Sequence, residues 1–122
     1  MAKEAPLFVM THDMLDWLTP HLETWPRPQR FLLARQVMEC ATSFYRMLVR
    51  ARKVEGQARA AALLDADAEL ETLKAMLRLG QERRYMSLGQ YAHVARMLTE
   101  IGQQLGGWRK STQSRLAQST PP

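Results

Sequence analysis

Tyr91, Val94, Ala95, Leu98, Ile101, Gly102 and Leu105 recur at three- and four-residue spacing, and this rhythm constrains the chain more than any other feature. On a helix of about 3.6 residues per turn they share one face, while His93, Arg96, Glu100, Gln103 and Gln104 fall mostly on the other. Ser87 and Gln90 stand at capping-box spacing, so the serine oxygen can take the N3 amide proton while the glutamine reaches back to the cap amide. A helix with a single apolar stripe is not stable alone in water. It needs partners that cover the stripe, and the upstream chain supplies further amphipathic segments.

At 122 residues the chain is large enough for one core without disulfides or metal, and has no room for a second domain. Few Val-Ile-Thr clusters argue against a sheet, so the expected class is all-α. Cys40, the only cysteine, sits in an apolar helical stretch and reads as a small buried hydrophobe, which suits a reducing, cytoplasmic setting. MAKEAPLF has no long apolar core and no stretch is long and uncharged enough to span a bilayer, so neither secretion nor membrane insertion is expected. The net charge of +5, from 17 Lys and Arg against 12 Asp and Glu, points toward an anionic partner such as nucleic acid, although many small basic proteins bind none.

Residues 1–6 read as a loose leader. A first helix is predicted from Leu7 or Thr11 to Thr24, with Leu7, Met14, Leu15, Leu18 and Leu22 inward, Trp17 on the flank, and a kink or a division at Pro20. Trp25-Pro26-Arg27-Pro28 marks a turn. A second helix follows from Pro28 or Gln29 to Lys53, about 38 Å long, with Phe31, Ala34, Val37, Met38, Ala41, Phe44, Tyr45, Leu48 and Val49 as its inner face. Gly56 reads as its stop. A third helix spans Arg59 to Arg83 on Leu63, Ala66, Leu70, Leu73, Leu77 and Gly80, acidic in its first half and basic at its end, as the helix dipole favours. Short connections make successive helices antiparallel neighbours. The expected architecture is an up-down-up-down four-helix bundle over residues 1–110, with 111–122 a flexible polar tail.

Chemistry is sparse. His12, His21 and His93 lie on different predicted helices without ligand spacing, neither Glu23 nor Glu100 begins a Glu-x-x-His pair, and no P-loop, dinucleotide turn or serine elbow occurs. No metal, cofactor or catalytic site is expected. Gly106-Gly107 reads as loosening or ending the last helix with Trp108 folded back as a plug, or else Trp108, Arg109 and Lys110 form a contact point for a partner. The basic residues Arg46, Arg50 and Lys53 on the second helix, Lys74 and Arg78 on the third and Arg96 on the fourth form either a solvated surface or a basic patch.

The runs WPRPQRF, LLDADAELETLKAMLRL and SLGQYAHVARMLTEIGQQLGGW, in this order, resemble the accessory variability determinant (Avd) proteins of diversity-generating retroelements. The most specific pieces are Leu18 to Pro20, Pro26-Arg27, Ala66 to Ala68 and Ile101 to Trp108, and the likeness covers roughly Leu7 to Lys110. It implies a homopentameric barrel of four-helix bundles. It also implies a non-enzymatic subunit that binds the retroelement's reverse transcriptase together with RNA or DNA, and supports adenine-directed mutagenic retrohoming.

By the same resemblance Lys74 and Arg78 match the basic positions of the third helix and Arg27 matches the arginine of the Pro-Arg turn; Arg46, Arg50, Lys53 and Arg96 enter from charge geometry. The chain departs from the better-known phage member in its acidic cluster, Asp65 to Glu71, and in a less basic tail holding only Arg109, Lys110 and Arg115. Two other readings stay open. One is a related bundle of the kind encoded within ribosomal RNA intervening sequences, and the other is an oligomeric scaffold without a polymerase partner.

Overall fold

The computed structural model describes residues 4–119. Its elements are α1 (Ala5–Leu22), a single turn α2 (Arg27–Arg30), α3 (Leu33–Lys53), α4 (Gly56–Glu82) and α5 (Leu88–Ser119), and no strand occurs among the described residues. The four long helices form a helical bundle. α3 packs most extensively on α4 and α4 on α5, while α1 closes the ring against α5 and α3.

Neighbours run antiparallel. Phe8 near the start of α1 meets Trp108 late in α5, and Trp17 near the end of α1 meets His93 early in α5. Asp67 in the first half of α4 reaches Arg109 in the second half of α5. The apolar stripes converge on one core that includes Leu18, Val37, Phe44, Leu48, Leu70, Leu73, Leu77, Leu98 and Ile101. The start of the last helix follows its sequence signal: the Gln90 amide donates to Ser87 Oγ at 3.0 Å and the Ser87 amide to Gln90 Oε1 at 3.0 Å.

Several local expectations are corrected. Pro20 neither divides α1 nor ends it, because it lies in the last turn, where its missing N–H removes one bond to the carbonyl of Asp16. Gly56 opens α4 instead of stopping the helix before it, since its φ of +61° serves the turn that enters the helix. The second predicted helix is two pieces. Phe31 and Leu32 form a turn between α2 and α3, with no glycine or proline at the break, so Phe31 leaves the inner stripe and is 73% exposed.

Helix α5 also continues past Gly106 and Gly107. Two helical glycines cost about 2 kcal/mol together, less than the roughly 4 kcal/mol of burying an indole. Trp108 accordingly lies buried on the stripe of Leu105 and Thr112, within 6.2 Å of the Phe8 ring, and is no surface contact point. Residues 111–119, expected as tail, are helical, with Thr112 buried and its hydroxyl donating to the Trp108 carbonyl at 2.9 Å. Residues 1–3 of the expected leader and 120–122 of the expected tail lie outside the described residues.

Candidate nucleic-acid and partner interface

Arg46, Arg50 and Lys53 follow one another at helical spacing along the outer side of α3, and all are exposed. Arg50 and Lys53 occupy the last turn, where positive charge is favoured by the helix dipole. Two further arginines at this end were not singled out by the sequence. Arg52 lies over the Phe8 ring at 4.0 Å, and Arg59 of α4 donates from Nε to the Ala51 carbonyl at 2.9 Å while standing 5.7 Å from the Trp108 ring. Their charges are held on aromatic faces and on an end carbonyl of α3. No local sequence signal joins Arg52 to Phe8 or Arg59 to Trp108, because each pair forms only across the packed bundle.

Lys74 and Arg78 lie one turn apart in the second half of α4. Lys74 is half-buried, with Nζ 3.7 Å from Glu71, beside a groove of about 220 Å³ formed with Tyr91, Val94, Leu98 and Thr99 of α5. Arg78 is exposed and its Nε lies 3.3 Å from Glu82. An exposed pair such as Arg78–Glu82 contributes about 0–1 kcal/mol, so Arg78 can exchange its carboxylate for a phosphate at little cost. Arg96 is exposed on α5, and Arg27 is exposed at the start of α2.

The seven sequence-selected cations do not meet at one point. Arg27 opens α2, ahead of α3, and Lys53 ends α3, a helix of about 30 Å. Within one subunit the structure groups Arg46 with Arg50 and Lys53, and Lys74 with Arg78, and leaves Arg27 and Arg96 apart. Arg83, part of the basic end expected of the third helix, lines a groove with Gln29 and Phe31 of the α2–α3 segment, while Arg30 lines a separate pocket with Leu22 and Glu23, and Arg84 takes a φ of 65°.

The acidic cluster of α4 is partly engaged. Asp67 pairs with Arg109 at 3.4 Å, Glu71 with Lys74, and Glu69 accepts a 2.6 Å hydrogen bond from Ser43 of α3. Cys40 is half-buried beside this contact, not fully buried as its apolar stretch implied. Burial first, then the charges of Glu69 and Glu39, push its thiol pKa up, so it stays protonated at neutral pH. Among the described residues no group of three or more His, Cys, Asp or Glu side chains could hold a metal ion, and no helix is long and apolar enough to cross a membrane. His21 stacks on Trp17 at 3.7 Å with its Nδ1 2.6 Å from the Trp17 carbonyl, which explains that histidine structurally.

A comparison with curated proteins finds no match. Among solved structures the fold is similar to a protein of unknown function from the S23 ribosomal protein family of Bacteroides thetaiotaomicron, with a TM-score of 0.81 and 18% identity, over 89% of this chain and 99% of that one. The likeness establishes the fold alone. The model of the bAvd-like family matches residues 8–112, nearly the whole bundle from Phe8 to the buried Thr112. The chain belongs to the bAvd-like family.

Proposed function

We propose that this protein is a non-enzymatic accessory subunit of a diversity-generating retroelement, binding its reverse transcriptase together with template RNA or complementary DNA to support adenine-directed mutagenic retrohoming. Membership of the bAvd-like family is the observation that carries this reading. The net charge of +5 and the exposed cations Arg46, Arg50, Lys53, Arg78, Arg96 and Arg27, with half-buried Lys74, support it. The cations form separate groups on one subunit, so the reading includes assembly into a homopentameric barrel, where copies of each group recur around a ring and many weak phosphate contacts act together. Its place of work is the cytoplasm.

Co-expression with the reverse transcriptase of the same genome tests the proposal. Recovery of the polymerase on the tagged chain at moderate salt, with associated RNA, is the expected result; a polymerase that never co-purifies would overturn it. The second reading, a bundle of the ribosomal RNA intervening-sequence type, has in its favour the fold shared with the S23-family protein. It lacks a polymerase partner, and the same experiment separates the two.

A further inference from the structure

Charge is divided between two neighbouring helices. From residue 4 to 26 the chain holds four acids, Glu4, Asp13, Asp16 and Glu23, and no Lys or Arg, whereas α3 holds five cations and Glu39 is its one acid. Asp13, Asp16 and Glu23 share the outer face of α1 with Val9, which is 61% exposed, and Arg46, Arg50 and Lys53 lie on the outer face of α3. Among the described residues Asp13 meets only His12, at 3.9 Å, and Asp16, Glu23, Arg46, Arg50 and Lys53 form no ion pair. The helix dipole accounts for Arg50 and Lys53 in the last turn of α3, but not for Glu23 at the C-terminal end of α1.

The two faces also match in height. Leu22 and Glu23 line a groove with Ala34 and Arg35, and Phe8 lies against Tyr45 and Arg52. This registry of the antiparallel helices sets Glu4 level with Lys53, Val9 with Val49 and Asp13 with Arg46, each to within about two residues, or 3 Å. We propose that the acidic outer face of α1 docks on the basic outer face of α3 in a second copy of this chain, and that the contact, repeated, closes the ring. The proposal rests on the ring assembly of the proposed function and names the surfaces that build it. Rotation about an axis parallel to the bundle preserves height, so Glu4, Val9 and Asp13 of one copy meet Lys53, Val49 and Arg46 of the next. Because α1 and α3 are neighbours in the bundle, their outward directions differ by about a quarter turn. Closure needs the two faces about 90° apart for four copies and about 108° for five, whereas opposed faces would build an open filament. A nucleic acid answers the α3 cations but is repelled by the α1 acids; a second copy answers both faces at once. In this ring Arg46 and Lys53 serve assembly, and Lys74, Arg78 and Arg96 are left for phosphate.

The test is the mass of the full chain alone in solution, by light scattering over a range of concentrations and salt, for the parent chain, Asp13→Arg, Arg46→Asp and the variant carrying both. The parent is expected to hold about five copies and to dissociate as salt rises. Each single reversal should move assembly to a concentration about tenfold higher or more, and the two together should restore it. Both positions are exposed, so the circular dichroism of the variants should match that of the parent chain. Five copies unaffected by either reversal would overturn the proposal and leave the ring to other surfaces; if Arg46→Asp then loses a labelled oligonucleotide, the α3 face belongs to nucleic acid. A combined variant that stays dissociated would overturn the pairing of these two faces. A dimer sensitive to both reversals would overturn the closure, since a two-fold axis brings the same faces together reciprocally. A monomer at every concentration would overturn the ring assembly itself, and the proposal with it.

Discussion

Trp25 rests the benzo ring of its indole on the bare Cα of Gly80, closing the end of the bundle where α1 stops and α4 finishes. A Cβ at Gly80 would run into Cη2 of that ring and lie 2.9 Å from Cζ2 and 3.2 Å from Cζ3. Trp25 is 2% exposed and wedged beside Tyr85, with ring centroids 5.5 Å apart, so it has little room to yield. Gly80→Ala is therefore expected to destabilise the fold by about 1–3 kcal/mol, even though alanine is the better helix former. Urea unfolding followed by circular dichroism checks this, and an unchanged midpoint would show that the indole moves aside.

The reciprocal bonds of Ser87 and Gln90 satisfy two amides at the start of α5. Ser87→Ala should cost about 1 kcal/mol in the same unfolding measurement. Gly102 provides the contrast, since a Cβ there would meet Leu70 Cδ2 at 3.6 Å and Lys74 Nζ at 3.8 Å, ordinary contacts. Gly102→Ala should accordingly be neutral or stabilising by up to about 1 kcal/mol, and a large loss would contradict this packing.

Cys40 gives the bundle a pH dependence of known sign. Its folded pKa is raised, so the folded state holds the proton more tightly than the unfolded chain. Any stability this contributes is present below the unfolded thiol pKa and is lost as pH rises through the folded one. Cys40→Ser should flatten the alkaline side of the stability profile. Alkylation of native Cys40 at mildly alkaline pH should be slower than that of a free thiol, and equal rates would contradict the raised pKa.

Lys74 and Arg78 pair only with neighbouring carboxylates on their own helix, one of them half-exposed and the other well exposed. Lys74→Glu with Arg78→Glu is expected to leave helical content intact and to weaken partner binding by about tenfold or more at moderate salt, through lost phosphate contacts. A pull-down comparing the double variant with the parent chain measures this. Undiminished binding would remove both residues from the interface.

Features set by nearest neighbours in the sequence were the legible ones. The Ser87–Gln90 cap spans a single turn, and the stripes of α3, α4 and α5 repeat often enough to fix which faces turn inward. Features decided by distant partners were not. Gly106-Gly107 reads as a helix end until Trp108 is seen against Phe8, and Phe31 reads as core until the unmarked turn at residues 31–32 rotates it outward. The same holds for the surface charges. Arg50 and Lys53 could be picked from the helix pattern, but the cations held on Phe8 and Trp108 depend on how the helices pack.

The most direct measurement is the solution mass of this chain co-expressed with the reverse transcriptase of the same genome, determined at moderate salt. A complex with about five copies of the chain to one polymerase is expected for a ring-forming accessory subunit. A polymerase that elutes alone, with the mass of the chain unchanged by its presence, would contradict the retroelement role.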